Sequence, residues 1–418
     1  MSTIEDIHGF GSQFTNQLQR LAEADIDEDD RKGIRSFIQH QDVQRSLAAS
    51  TLVNEISDLR LCAKRSEVPL MEMDREDVDA LLFEYKHTRE LAEGTLRNYR
   101  KVLRKFFRYH ERDWAETIEI GPVPTQEVNA DKVLSKEDLS ALRDAARNPR
   151  NKALIEMLID TGLRIGALGT LRVGDVELGP RAGSITLNEE ANGRKGASGR
   201  RPLTWSKPYV ANWLDVHPRS DDPEAPLFHT FKRQDDDQYG DGSLTYYQLQ
   251  RIIKQMADEA GVDRDKVNPH NFRKTAITRW IREGFSEQEI KHRATWVKDS
   301  SQFETYSQVT DEEMNQQILA EYGLAEKDTD HAPELENCPQ CQTLLQNDPQ
   351  FCPGCGLALS QRAATTLEGA EDDLFDDLAE TDDGEEIAML RDLRAMLKDN
   401  PTARDALLQA GAGDEGEE

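Results

Sequence analysis

The chain has 418 residues, which is long enough for two or three domains with hydrophobic cores of their own. Hydrophobic residues make up 37% of it and charged residues 32%, and no apolar run approaches the ~20 residues that a membrane-spanning helix needs. The first 30 residues lack the basic flank and apolar block of a secretory signal. The composition therefore argues against a membrane protein, and we expect a cytoplasmic one.

The net charge of −28 argues against a nucleic-acid partner at first sight, because phosphate binding requires a basic surface. The charge is unevenly distributed, however. Residues 151–310 carry 23 basic and 23 acidic side chains, whereas residues 361–418 carry 5 basic and 18 acidic ones. This acid-rich composition resembles that of proteins from salt-loving archaea, and at ~1 M salt the Debye length falls to ~3 Å. The net charge therefore does not exclude DNA as a partner.

The first third of the chain predicts a helical domain. Residues 1–29 are polar and acidic, and residues 30–114 have the periodicity of helices. In the last of these helices, apolar side chains recur every three to four residues from Leu96 to Phe107 and form one face. The opposite face is basic and contains Arg97, Arg100, Lys101, Arg104, Lys105 and Arg108. A basic stripe alone is more often a solvated helix face, but in so acidic a chain we expect it to contact DNA.

Residues 115–134 include Gly121-Pro122-Val123-Pro124 and show little periodicity, which predicts a linker. Residues 135–325 then predict helices around a small β-hairpin. Three helix starts carry capping residues, namely Ser135 with Asp138, Asn268 before Pro269, and Ser286 with Glu289. The alternating segments 184–187 and 201–205 predict the two strands of the hairpin. The predicted fold is therefore mainly α with a small β-hairpin or sheet.

Two basic residues stand at the start of the helix that follows Asn268. His270 and Arg273 are three residues apart, so they share a face beside the positive end of that helix, where a phosphate binds favourably. Taken alone, such a pair is more often an ordinary surface feature. It is preceded by the string Thr-Gly-Leu-Arg-Ile-Gly at 161–166, and it is followed by Trp296 and, ten residues later, Tyr306.

This ordered set resembles the catalytic domain of the tyrosine recombinase (phage integrase) family, over roughly residues 135–325. The resemblance implies a two-domain architecture in which residues 30–114 form the helical DNA-clamping domain. It also implies a role for each motif residue. The catalytic positions would be Arg164 in the Thr-Gly-Leu-Arg motif, Lys195 on the hairpin, His270 and Arg273 of the His-x-x-Arg motif, Trp296, and the nucleophile Tyr306.

The residue types suit the chemistry of a phosphodiester, which gains negative charge in its transition state and needs fixed positive donors. Arginines supply bidentate forks, and a positioned lysine can protonate the departing 5′-oxygen. A tyrosine hydroxyl has an ordinary pKa of ~10, so it needs a positive field or a base to attack. The resemblance further implies a 3′-phosphotyrosyl intermediate, no cofactor for strand transfer, double-stranded DNA as substrate, and a homotetramer on paired sites.

Some positions leave alternatives open. Ala167 stands where the family usually has an acidic residue three positions after the first arginine, which implies either weakened catalysis or another acid in that role. Lys195 shares its loop with several arginines, and Lys207 is the alternative general acid. Tyr306 could be a core aromatic residue and Trp296 could serve packing alone, although the polar neighbours of Tyr306 favour an exposed hydroxyl.

Four of the five cysteines are clustered near the C-terminus. Cys338 and Cys341 form one Cys-x-x-Cys pair, and Cys352 and Cys355 form a second one ten residues later. Two such turns can direct four thiolates at one tetrahedral centre, which predicts a structural zinc ribbon at residues 333–360. Two disulfides or a rubredoxin-like iron are the alternatives, and a reducing cytoplasm disfavours the disulfides. The remaining cysteine, Cys62, occupies an apolar helical position and is predicted to be core.

The sequence thus predicts a site-specific recombinase or integrase with a zinc ribbon and an acidic tail, residues 361–418, that we expect to be largely disordered. A type IB topoisomerase uses similar tyrosine chemistry and is one alternative. A catalytically silent DNA-binding regulator on the same fold is the other. Ala167 is the feature that favours the silent protein, whereas the presence of all six catalytic residues argues against it.

Overall fold

The computed structural model describes residues 3–123, 132–179, 183–192, 198–231 and 241–297. Single residues are described further on, at positions 300, 303, 315, 319, 324, 338, 341, 343, 345, 351, 352, 355, 357 and 359. The chain divides into two compact units. The first unit contains residues 1–127 together with 190–195 and 232–247, and the second contains the rest. From the sequence, both of those inserted segments are instead expected in the catalytic domain at 135–325.

In the residues that are described, the first unit contains five α-helices. They are α1 (Phe10–Ala22), α2 (Glu28–Val43), α3 (Ala49–Arg65), α4 (Arg75–His87) and α5 (Glu93–Tyr109). Asp27 caps α2 by accepting from two backbone N–H groups, and Asp74 forms a capping box with Asp77 at the start of α4. The predicted apolar face of α5 is buried from Leu96 to Phe107. Cys62 is fully buried on α3, as predicted.

Helical structure and core residues extend beyond both predicted boundaries of this domain. Residues before 30 were expected to be a polar segment, yet they contain α1, and Leu21 lies in the same hydrophobic core as α2 to α5. Residues from 115 onward were expected to be a linker, yet Ala115 and Ile118 are also buried in that core. Short amphipathic segments at the ends of the domain were overlooked because their polar residues dominate the composition. The core therefore extends from α1 to Ile118.

The second unit contains seven helices and a sheet in the part of the chain that is described. The helices are α6 (Lys136–Ala145), α7 (Pro149–Thr161), α8 (Ile165–Gly169), α9 (Lys207–Leu214), α10 (Tyr246–Ala260), α11 (Pro269–Arg282) and α12 (Glu287–Arg293). The strands are β1 (Val176–Leu178), β2 (Gly183–Thr186) and β3 (Arg200–Leu203). They form an antiparallel sheet in the order β1-β2-β3. The predicted hairpin corresponds to β2 and β3, displaced by one to two residues, and β1 is an additional strand.

Helix α7 lies at the centre of this unit. Every residue of α7 from Ala153 to Thr161 is buried, and the helix packs against α6, α9, α11 and β3. The three helix starts predicted from capping residues are confirmed, because Ser135, Asn268 and Ser286 each accept the expected backbone N–H. Among the described helices, none combines the length and apolar character that crossing a membrane would require.

Candidate active site

The Thr-Gly-Leu-Arg motif forms the turn between α7 and α8. Gly162 ends α7 in the left-handed conformation with φ +55°, and a Cβ there would lie 2.9 Å from the Cβ of Ala276 and 3.0 Å from the Trp280 ring. Glycine is the residue that satisfies both conditions. Thr161 donates its hydroxyl to the carbonyl one turn earlier at 2.6 Å. The motif therefore encodes this tight turn, and the half-buried Arg164 follows it as the N-cap residue of α8.

The His-x-x-Arg motif occupies the first turn of α11. Asn268 caps the helix by accepting from the backbone N–H of Asn271 at 3.0 Å, and Pro269 supplies the fixed φ of the first position. His270 is exposed on this turn, whereas Arg273 is only 3% exposed. The two side chains therefore start from the same helix end but lie in different environments.

Arg273 connects two segments that are distant in sequence. One of its Nη atoms donates to the carbonyl of Gly162 at 3.0 Å, and the other donates to the carbonyl of Ala294 at 2.6 Å. Its guanidinium carbon lies 5.4 Å from the centre of the Trp296 ring, within the range of a cation–π contact. The structure thus brings the turn before Arg164, Arg273 and Trp296 into one site.

A buried carboxylate that the sequence analysis did not single out lies beside this site. Asp160 is fully buried near the end of α7, and it accepts from the backbone N–H and hydroxyl of Thr204 at 2.8 and 2.5 Å. It also accepts from the hydroxyl and N–H of Ser206, at 2.6 and 3.3 Å, and from Arg293 at 3.1 Å. Asp160 therefore connects the end of α7, the segment after β3 and the end of α12, which leads to Trp296.

Ala167, at the position where an acid was expected, is 4% exposed on α8. A carboxylate there would enter a packed environment and would require donors for its oxygens. Asp160 already has such donors close to the same turn. The sequence signal that could have revealed it is a single acid at the end of a helix whose neighbouring residues are almost all apolar.

Known proteins resemble this chain in sequence. Residues 132–313 match the phage integrase family. The matched region contains Arg164, His270, Arg273, Trp296 and Tyr306. The tyrosine recombinase XerD of Caulobacter vibrioides is 23% identical over 308 residues, covering 70% of this chain and 96% of the relative. XerD of Lacticaseibacillus casei is 23% identical over 300 residues, covering 69% and 96%.

Similarity of fold extends to a solved integrase structure. The lambda integrase dimer bound to a COC′ core site aligns with a TM-score of 0.50 and 13% identity, covering 66% of this chain and 76% of that one. At this level of identity the likeness concerns the fold alone. It agrees with the observed architecture, which is mainly helical with a small antiparallel sheet.

Four of the six catalytic residues that the family resemblance assigns are described, namely Arg164, His270, Arg273 and Trp296. Lys195 and Tyr306 lie outside the described residues. The alternative lysine, Lys207, begins α9, and its Cγ lies 3.2 Å from where a Cβ on Gly183 would stand. Gly183 pairs with Leu203 at the end of β2 and β3 that is remote from the loop between them. Lys207 therefore does not occupy the loop position that an integrase hairpin lysine would have.

Four of the six residues on the basic face of α5 pair with acids of the same unit. Arg104 and Arg108 both pair with Glu116, and these arginines lower the pKa of that carboxyl, Arg108 most strongly. Arg100 pairs with Glu93. Lys105 donates to Glu55 at 2.7 Å, and Arg97 donates to the carbonyl of Gly121 at 3.3 Å. For Lys101, burial and the neighbouring cations lower the pKa.

The four clustered cysteines converge on one point. Their sulfur atoms all lie within 4.8 Å of one another, with 3.5 Å between Cys338 and Cys355 and 3.4 Å between Cys341 and Cys352. The backbone N–H of Cys338 bonds to the carbonyl of Thr343, and that of Cys352 bonds in the same way five residues on, both at 2.8 Å. Two equivalent knuckles therefore face each other. Tetrahedral zinc with Zn–S bonds of ~2.3 Å requires sulfurs ~3.8 Å apart, whereas a disulfide requires ~2.05 Å, so the geometry fits a metal.

Proposed function

We propose that this chain is a site-specific DNA recombinase or integrase that cleaves and rejoins DNA strands through a 3′-phosphotyrosyl intermediate on Tyr306. The observation that carries the proposal is the convergence of the Arg164 turn, Arg273 and Trp296 around the end of α7. The Arg164 turn is more than a hundred positions away from Arg273 and Trp296 in the sequence, and a set of unrelated surface residues has no reason to meet there. Because the reaction takes place on DNA, we place the protein in the cytoplasm.

Each residue of the proposed site has a chemical task. Arg164 and Arg273 stabilise the charge that develops on the phosphate oxygens, because guanidinium forks match two oxygens at once. His270 and the Trp296 indole N–H add hydrogen bonds or assist proton transfer. Lys195 protonates the departing 5′-oxygen as general acid. Because the phosphotyrosyl linkage conserves the energy of the phosphodiester, strand transfer requires no cofactor.

Double-stranded DNA and further copies of this chain are the proposed partners. The likeness in fold to a lambda integrase dimer on a core site supports both, and strand exchange between two duplexes requires four nucleophiles. The basic face of α5 is the proposed second DNA contact, through Arg97, Arg100, Lys101, Arg104, Lys105 and Arg108. We expect a homotetramer on paired sites.

The decisive experiment is a covalent adduct assay on a denaturing gel. We expect the wild-type chain to form an adduct with duplex DNA taken from the flanks of its own gene, and we expect Tyr306→Phe to abolish it while duplex binding persists. Tyr209→Phe, a half-buried tyrosine on α9, is the matched control and should leave the adduct intact. Equal adduct yields from the wild type and Tyr306→Phe would disprove the assignment of the nucleophile.

The two alternatives make different predictions in related assays. A type IB topoisomerase would relax supercoiled plasmids of unrelated sequence, whereas a site-specific recombinase requires its own site. A silent regulator would bind DNA and form no adduct at any salt concentration. The convergence of the proposed catalytic residues at α7 favours an active recombinase over a catalytically silent regulator.

We further propose that Cys338, Cys341, Cys352 and Cys355 bind a structural zinc ion. The ion would supply folding energy of ~10–16 kcal/mol to a segment with little apolar content. We expect one zinc per chain by elemental analysis, and we expect a chelator or Cys338→Ser to remove it without abolishing adduct formation. Cys62→Ser, at the buried cysteine outside the cluster, is the control and should retain the zinc. Full retention of zinc by Cys338→Ser would refute this site.

A further inference from the structure

Four arginines are buried in the part of the chain that the structure describes, and one of them differs from the others in its partners. Arg150 donates to the carbonyl of His229 and to Asn151, and it lies 4.2 Å from the Phe231 ring. Arg273 donates to the carbonyls of Gly162 and Ala294. Arg279 donates to two carbonyls and pairs with Glu283 at 3.2 Å. Each of these three guanidinium groups therefore has at least two hydrogen-bond acceptors in the fold, although, among the described residues, only Arg279 also pairs with an acid.

Arg201 has fewer such acceptors. It is 8% exposed on β3, it donates to the carbonyl of the adjacent Arg200 at 2.7 Å, and its buried Nε has no hydrogen-bond partner among the residues that the structure describes. No acidic side chain pairs with it among the described residues. Burial lowers the pKa of its guanidinium, as it does for Arg150, so the two arginines differ in their hydrogen bonds and not in this respect. A buried cation without an anion is costly, so the fold retains it at the expense of stability.

The neighbouring residue shows that an acid could have been provided. Arg200 points to the opposite face of β3, is exposed, and pairs with Glu177 while donating to Ser184 at 2.6 Å. Two consecutive arginines on one strand thus differ both in exposure and in their partners. The exposed one, which water could solvate, has a carboxylate partner, whereas the buried one, which needs an anion most, has none within the described fold.

The surroundings of Arg201 belong to the site already described. Arg201 lies opposite Ile185 in the pairing of β2 with β3. Three residues further on, Thr204 follows the end of β3 and donates to Asp160. Burial and the charge of Arg201 together lower the pKa of His292 on α12, four residues before Trp296. The low exposure of Arg201 does not argue against contact with a ligand, because Arg273, a proposed phosphate ligand, is exposed still less.

We propose that Arg201 is an additional DNA-binding residue of this site, whose missing counter-ion is a backbone phosphate of the bound duplex. The proposal rests on the proposed function, because it requires DNA as the ligand. It assigns a role to a cation outside the six residues implied by the family resemblance. A guanidinium suits this task because it remains charged even when burial lowers its pKa.

The test compares Arg201→Met with Arg150→Met. Methionine fills a similar volume without charge, and the two arginines are almost equally buried, at 8% and 7% exposure. Binding of a fluorescein-labelled duplex from the flanks of the gene is measured by anisotropy over a range of salt concentrations, and thermal unfolding is measured without DNA. In a plot of log affinity against log salt, the negative slope should become shallower by about 0.9 for Arg201→Met, which corresponds to the loss of one phosphate contact.

The expected signs are opposite for the two variants. Arg201→Met should unfold at an equal or higher temperature than the wild type while binding DNA less tightly, because it removes an uncompensated charge. Arg150→Met should unfold at a lower temperature with an unchanged salt slope. A slope for Arg201→Met equal to that of the wild type, or lowered no more than that of Arg150→Met, would overturn the inference. If Arg201→Met does not fold, Arg201→Gln and Arg201→Lys are compared in its place, and only the former should lose slope.

Failure of this inference can be distinguished from failure of the proposed function. If the wild type binds duplex DNA and forms the Tyr306 adduct while Arg201→Met keeps its slope, only the role of Arg201 is wrong. If Arg201→Met loses slope but no adduct forms on any DNA, Arg201 binds phosphate and the proposed chemistry is wrong. If the wild type does not bind duplex DNA, both proposals fail.

Discussion

Arginines on α5 differ from arginines around the end of α7 in their exposure and in the groups that they contact. On α5 the guanidinium groups lie at the surface and pair with acids such as Glu93 and Glu116, both about half exposed. Around α7 the guanidinium group of Arg273 is buried and that of Arg293 is 11% exposed, and they donate to carbonyls or to the buried Asp160. The exposed pairs can be exchanged for other partners, whereas the buried ones hold the fold together.

The difference follows from solvation. An exposed ion pair contributes about 0–1 kcal/mol, because water and salt screen it, so a DNA phosphate can displace the acid at little cost. Breaking a buried pair leaves an unsolvated charge and costs far more. The first region is therefore suited to reversible DNA contact, and the second to fixing the positions of the residues proposed to act on the phosphate.

The largest effect should come from removing the buried acid. Asp160→Asn should lower the free energy of unfolding by about 3–5 kcal/mol, because it removes the buried counter-ion of Arg293 and places an amide N–H₂ against the donors of Thr204 and Ser206. Urea unfolding followed by circular dichroism measures this. Adduct formation should also fall, since the segments that lead to Arg164 and Trp296 lose their common anchor.

The control for this prediction is an acid in an exposed pair of the same unit. Asp258 pairs with Arg264 at 3.1 Å, and both side chains are at least half exposed. Asp258→Asn should change the free energy of unfolding by no more than about 0.5 kcal/mol. Equal losses for Asp160→Asn and Asp258→Asn would mean that burial does not separate the two kinds of pair.

A smaller loss should follow from changing the backbone that one buried arginine contacts. Gly162 supplies a carbonyl to Arg273, and Gly162→Ala should cost about 2–4 kcal/mol, because it combines positive-φ strain with overlap against Ala276 and Trp280. Gly284 is the matched control, since its φ is +82° but nothing lies within 4 Å of a Cβ there. Gly284→Ala should cost only about 1 kcal/mol. A result in which Gly162→Ala costs no more than Gly284→Ala would show that the close packing at this turn is not needed.

Local rules predicted much of the fold from the sequence. Capping at Ser135, Asn268 and Ser286 depends on a few adjacent residues, and all three helices begin where those residues indicate. The buried face of α5 follows from periodicity alone. The three-residue strand β1 was missed because so short a segment has no period to detect, and the helix α9 was missed because it spans only two turns.

Contacts of the site between residues that are distant in sequence were harder to predict. A motif can assign Arg164 and Arg273 by family resemblance, but it does not reveal that Asp160 accepts hydrogen bonds from residues 44 and 133 positions away. Nor does it distinguish Arg200 from Arg201, because the partners of each depend on which face of β3 is buried. Contacts that depend on tertiary burial require the structure, and they are the contacts that separate the two classes of arginine.

The smallest predicted effect tests whether the pairs on α5 really exchange with DNA. Glu116 accepts from both Arg104 and Arg108, so Glu116→Gln should release two guanidinium groups for phosphate and raise the affinity for duplex DNA several-fold. The slope of log affinity against log salt should steepen by up to about 1.8, since each added phosphate contact contributes ~0.9. Anisotropy titrations at several salt concentrations measure both quantities.

Glu111→Gln removes the same charge from an exposed position that forms no ion pair among the described residues, and it should raise the affinity only slightly without changing the slope. Identical slopes for the two variants would mean that Glu116 and DNA do not compete for the same arginines, and the basic face of α5 would then be a solvated surface rather than a DNA contact.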